Sequence, residues 1–134
     1  MHKKDYIQRQ FEEFGKVLAS ILSRKKKKEW EEFEKEIEQA SQKFAALEIA
    51  QLENLSTDDF NKQIQSSSLL YDQKKILANL FFEKMNAYFE KAENEKYQSA
   101  KSKCIALYSH LSADLTQNEF DLEVHYRIKL LGKI

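Results

Sequence analysis

The side chains with the most versatile chemistry in this chain are three histidines, His2, His110 and His125, and one cysteine, Cys104. Their spacing withholds most of what such residues can do. A zinc site needs ligands repeated at short intervals, as in Cys-x-x-Cys or His-Glu-x-x-His, and a di-metal bundle site needs Glu-x-x-His. None of these patterns is written here. Asp121 and His125 stand four apart, the spacing of a surface ion pair on one helical face. Cys104 falls on an apolar stripe with Tyr97, Ala100 and Leu107, which predicts a buried, inert thiol. A nucleophilic cysteine needs a helix N-terminus or a cationic neighbour, and Lys101 and Lys103 project from other faces of the same helix. The expectation is no catalytic residue, no metal site and no cofactor.

Two groups of residues point instead to binding. The run Arg24, Lys25, Lys26, Lys27, Lys28 is a candidate anionic surface, since clustered cations release counterions from phosphate or settle on acidic lipid. Its setting favours another use. Residues 1–28 hold nine cations and three acids, a net +6; residues 29–59 hold two and ten, a net −8; the remainder is +2, so the chain sums to zero. A basic helix followed at once by Glu29, Glu31, Glu32, Glu34 and Glu36 predicts an antiparallel pair whose charged flanks face each other. Both sets also complement the helix dipoles. The second group is aromatic. Phe82 and Phe89, seven apart, share one face of a helix already rich in apolar residues, and are candidates for a partner surface.

The elements that must position these residues are helices. There is no proline, and the only glycines are Gly15 and Gly132, leaving 116 consecutive residues without either. Phosphate-cradling loops and tight hairpins draw on glycine for positive φ or close backbone approach, so a P-loop, a dinucleotide-binding fingerprint or a many-stranded sheet is not expected. Apolar spacings of three and four predict six amphipathic helices. They run at about 4–23, 30–54, 57–65, 69–92, 95–111 and 117–131. The second carries the coiled-coil-like seam Trp30, Phe33, Ile37, Ala40, Phe44, Leu47. The fourth is apolar on most of its circumference and is therefore expected at the centre. Two helix starts share one template, Leu55-Ser56-Thr57-Asp58-Asp59-Phe60 and Leu115-Thr116-Gln117-Asn118-Glu119-Phe120. Each reads as an N-cap hydroxyl with a carboxylate three residues on and a Leu–Phe staple. Gly132 reads as a stop.

Tyr97-x-x-Ala100-x-x-x-Cys104-x-x-Leu107 resembles the second helix of a tetratricopeptide-type repeat. The segment before it lacks the Trp-x-x-Leu-Gly signature, and no 34-residue period runs through the chain. Asp5-Tyr6-Ile7-x-Arg9-Gln10, followed by Leu18-Ala19-x-Ile21-Leu22, resembles the opening of small bacterial helical proteins, some of them tetratricopeptide-like. That resemblance implies stacked helical hairpins and no activity. The expected fold is all-α: one domain of about six antiparallel helices, as an irregular bundle or as stacked hairpins. The expected function is non-enzymatic. It is an interaction or scaffold module binding a protein or peptide between helices, or a second copy of itself, rather than nucleic acid or a membrane. The alternative is a small-ligand or enzymatic domain with an aromatic pocket and His110 or His125. A lone cysteine, charges throughout the N-terminal segment and no long apolar stretch make the cytoplasm the expected compartment.

Overall fold

Helices form wherever the apolar spacing recurs, and tertiary packing decides where each one ends. The structure, a computed structural model, describes residues 3–114 and 120–133. Its fold is all-α. The helices are α1 (Lys3–Lys26), α2 (Trp30–Ala45), α3 (Ile49–Glu53), α4 (Thr57–Ser66), α5 (Tyr71–Glu90), α6 (Asn94–Ser112) and α7 (Leu122–Lys133).

Among the described residues seven helices stand where the periodicity predicts six, because the second is interrupted. Ala46 adopts a left-handed conformation with φ 55°, and the chain folds back so that the Ser41 hydroxyl donates to the Leu47 carbonyl at 2.5 Å. The turn lets Ile49 and Leu52 of α3 bury completely in the main core. A straight helix would have carried them past it. Burial of two large aliphatic side chains, about 1.5–3 kcal/mol each, outweighs the cost of one left-handed alanine.

Glycine proves unnecessary at the turns. Lys28, Ala46 and Ala92 all have positive φ, and both glycines lie inside helices with negative φ. Lys28 and Ala92 close Schellman-type ends. At the first, Lys28 N–H donates to Lys25 O at 3.0 Å and Glu29 N–H to Arg24 O at 2.9 Å. At the second, Ala92 N–H donates to Phe89 O at 3.1 Å and Glu93 N–H to Tyr88 O at 2.9 Å. Gly132 stops nothing, since α7 runs through it to Lys133.

Of the two staple-and-box starts, the first forms. Ser56 Oγ accepts from Asp59 N–H at 3.1 Å, with Phe60 buried and Leu55 packed against the core. The Leu115 and Thr116 cap of the second lies outside the described residues, but its Phe120 is exposed and precedes the helix rather than stapling it. Here α7 starts at Leu122, and the Asp121 carboxylate supplies the cap by accepting from Val124 N–H at 3.2 Å.

Side-chain pairs give the topology. Glu13–Lys43 and Ser20–Glu36 set α1 antiparallel to α2. Glu34–Lys84 and Phe44 O–Gln73 set α2 antiparallel to α5. Lys74–His110 and Asn79–Tyr108 set α5 antiparallel to α6. Asp121–Lys75 and Arg127–Phe82 set α7 parallel to α5. Every residue from Ile76 to Met85 is buried, so α5 is the central helix, as its all-round apolar pattern predicts.

Candidate functional site

The basic run divides between structure and surface. Arg24 reaches Glu29 at 3.2 Å and Glu36 at 3.7 Å, so the antiparallel α1–α2 pair does match charge to charge. Lys25 takes a partner outside that pair, Glu83 on the central helix, at 2.7 Å. Lys26, Lys27 and Lys28 are exposed at the turn. Phe82 and Phe89, which share a helical face, part company as well. Phe82 is only 8% exposed, its ring covered by the Arg127 guanidinium 3.8 Å from the centroid. Phe89, beyond the end of that cover, is 70% exposed and lies against Tyr97 at 5.6 Å.

Cys104 is wholly buried, and burial pushes its thiol pKa far up, which disfavours the thiolate. The Asp121–His125 pair is replaced by other partners. Lys75 at 3.0 Å and Tyr71 at 2.9 Å engage the Asp121 carboxylate, while the His125 ring lies against Phe120 at 5.1 Å. Burial alone would raise the Asp121 pKa, but the hydrogen bonds from Lys75, Tyr71 and Val124 outweigh it and hold the group below its ordinary value.

A buried ionic cluster joins α2, α3, α5 and α6. Lys84 Nζ lies 2.7 Å from Glu34 and 2.9 Å from Glu53, and Tyr88 donates its hydroxyl to Glu53. Burial opposes the charge on Lys84, yet its two carboxylates win and raise its pKa. Lys103, equally buried on α6, hydrogen-bonds the neutral Ser99 hydroxyl at 2.8 Å; burial lowers its pKa, with Glu53 only partly opposing. No sequence signal marked this cluster, because lysine and glutamate on amphipathic helices read as solvated faces. The cluster pins the short α3 to the bundle.

Two clefts open along the seam between α4 and α6. One, of about 520 Å³, is lined by Thr57 and Asn61 on α4 and by Gln98, Lys101, Ser102, Ile105 and Ala106 on α6. The other, of about 340 Å³, includes Asn61, Gln65, Ala106, Ser109 and His110. Asn61 and Ala106 line both, so the two form one groove. The helices run parallel along it, with Thr57 and Ser102 hydroxyls 2.7 Å apart at one end. From Thr57 to Gln65 on its shorter wall the groove extends about 12 Å at 1.5 Å per helical residue. At its far end Lys74 Nζ stands 3.0 Å from His110 Nε2. An ammonium has no lone pair, so the lysine donates and the ring proton sits on Nδ1.

A separate cleft of about 420 Å³ lies between α1 and α2, floored by Val17, Ala40 and Phe44. Its polar rim is bound internally, through Ser20–Glu36 and Lys43–Glu13. Among the described residues no group of three or more His, Cys, Asp or Glu side chains is placed to hold a metal ion, and no helix is long and apolar enough to cross a membrane. No protein-family model, curated protein or solved structure matches the chain.

Proposed function

We propose that this chain is a non-enzymatic interaction module that takes a peptide segment of a partner protein in the groove between α4 and α6. The observation that carries the reading is the continuity of that groove. Two clefts meeting at Asn61 and Ala106 make a channel walled on both sides for about 12 Å, long enough for three or four residues of extended peptide at about 3.3 Å each. Its lining suits a peptide backbone. Asn61, Gln65 and Gln98 are amides that donate and accept, Ser109 adds a hydroxyl, and Ala106 keeps the floor low enough for close approach. Ile105, exposed at the rim, supplies an apolar contact.

An affinity pull-down from native lysate, run with wild type and with Ala106→Arg, tests the proposal. The arginine fills the groove from a half-buried position that packs against the core, so the fold of the variant is checked by circular dichroism. A partner retained by wild type and lost by the folded variant supports the reading. Equal retention by both refutes it.

A further inference from the structure

We infer that this chain exchanges its α1–α2 hairpin with a second copy of itself by straightening the turn between α2 and α3. That turn runs against its own residues. Apart from Ile49, the stretch Ala45-Ala46-Leu47-Glu48-Ile49-Ala50-Gln51-Leu52-Glu53 is all Ala, Leu, Glu and Gln, which favour helix, and it holds no capping Ser, Thr, Asp or Asn. Yet Ala46 is held left-handed at φ 55°, and Glu48 at the start of α3 makes no side-chain cap. The other two positive-φ turns among the described residues interrupt polar sequence. Lys28 ends a run of five cations, and Ala92 lies among Glu90, Lys91, Glu93, Asn94 and Glu95. Of the three, Ala46 is the one where helix-forming sequence continues straight through the bend.

Within one chain the straight form is unfavourable, because it carries Ile49 and Leu52 away from the core they fill. Between two chains that burial is kept. The hairpin is tied to the rest of the bundle by Lys25–Glu83 at 2.7 Å, by Glu34–Lys84 at 2.7 Å, and by Gln73 Nε2 donating to Phe44 O at 3.3 Å. In an exchanged pair each of these contacts re-forms across the two chains. The bonds that hold the bend, Ser41 Oγ to Leu47 O and Ala50 N–H to Glu38 Oε2, give way to helical backbone bonds. What separates the two forms is then one left-handed alanine relieved in each chain, set against the entropy of association. A short hinge under strain, here Ala46, Leu47 and Glu48 between two helices, is the arrangement that invites exchange. Both walls of the α4–α6 groove lie C-terminal to the hinge, so an exchanged pair carries two grooves.

The test is refolding of the full chain at about 1 mM, followed by sedimentation velocity of wild type, Ala46→Gly, Ala46→Val and Lys28→Gly. Ala46 is exposed, so neither substitution there meets the core. A left-handed alanine costs a factor of about 5 or more against glycine, and a dimer relieves two. Ala46→Gly should therefore lower the association constant of the dimer about 25-fold or more. Ala46→Val, whose branched side chain is excluded from positive φ, should raise it. Lys28→Gly eases a bend that exchange leaves in place and should change nothing. Should the valine variant fail to fold, the glycine arm decides by itself. Carbodiimide coupling of Glu34 to Lys84, in an equal mixture of isotope-labelled and unlabelled chains, shows whether the hairpin has changed partners. The dimer fraction should then yield coupled peptides of mixed isotope. A wild type that stays monomeric overturns the inference. So does a dimer that Ala46→Gly leaves undiminished or Lys28→Gly diminishes as much, or one whose Glu34–Lys84 couplings never mix isotopes.

Discussion

Lys84 and Lys103 are both buried lysines on adjacent helices, and they should respond to the same substitution in opposite ways. Lys84→Met removes an ammonium that bridges Glu34 at 2.7 Å and Glu53 at 2.9 Å. The Glu34 side chain is 36% exposed and is rehydrated after the change, so its share is worth only about 0.2–1 kcal/mol. The Glu53 side chain is 15% exposed and is left with the Tyr88 hydroxyl. Breaking a fully buried pair costs about 3–5 kcal/mol, so this partly buried one should cost about 2–4 kcal/mol in all. Unfolding entropy for 134 residues is about 0.28 kcal/mol/K, which converts the loss to a fall in Tm of about 7–14 °C. Lys103→Met instead relieves a buried ammonium that has a serine for a partner, and should leave stability within about 1 kcal/mol of wild type or raise it.

The pH dependence carries the same contrast. The Lys84 pKa is raised on folding, so its contribution is complete below about 10.4 and is lost as pH rises through the folded value. The Lys103 pKa is lowered, so its cost is complete at low pH and is relieved as pH rises from the folded value towards about 10.4. Urea unfolding followed at 222 nm, from pH 6 to about 12, measures both. Lys84→Met paired with Glu53→Leu should recover most of the single-variant loss. A Lys84→Met protein as stable as wild type, or a Lys103→Met protein that loses as much as Lys84→Met, refutes the assignment of opposite roles.

Gly15→Ala should stabilise the protein by about 0.5–1 kcal/mol in the same assay, because Gly15 lies within α1 with nothing within 4 Å of an added Cβ. Lys28→Gly and Ala92→Gly should each gain about 0.5–1 kcal/mol by relieving left-handed backbone, with no change in m-value. Asp121→Asn should cost about 1 kcal/mol at pH 7 and progressively less in acid. Its lowered pKa places that contribution above the ordinary carboxylate range and removes it as pH falls through the folded value. Tyr71, Tyr88 and Tyr108 all have pKa values raised by burial, so stability they confer below about pH 10 is lost above it. Absorbance at 295 nm should show only the remaining tyrosines ionising until a cooperative step coincides with unfolding; smooth ionisation of all six before that step counts against their burial.

The helix count shows how far periodicity reaches. The seam from Trp30 to Phe44 is legible because each apolar residue repeats at three or four and faces one way. The break at Ala46 is not, because the reward for it lies in contacts Ile49 and Leu52 make with distant residues. Glycine scarcity is a sound argument against phosphate loops, but not against left-handed turns. A left-handed lysine or alanine costs about 1–2 kcal/mol, which a packed core absorbs. The opposing charge blocks predict the Arg24–Glu29 and Arg24–Glu36 contacts, yet Lys25 goes to Glu83, a residue with no special pattern around it.

By itself the sequence determines an all-α chain, a central helix from its all-round apolar pattern, an antiparallel first pair from its charges, and an unreactive Cys104 from its stripe. Each follows from spacing along one or two helices, where the 3.6-residue period ties sequence position to direction. Tertiary structure alone decides the rest. It covers Phe82 with Arg127 and leaves Phe89 open, sends Asp121 to Lys75 and Tyr71, brings Glu34 and Glu53 to the buried Lys84, and aligns α4 with α6 to make a groove. These partners are 31 to 50 residues apart in the chain. Which faces meet at that range depends on how the whole core packs, and no local period encodes it.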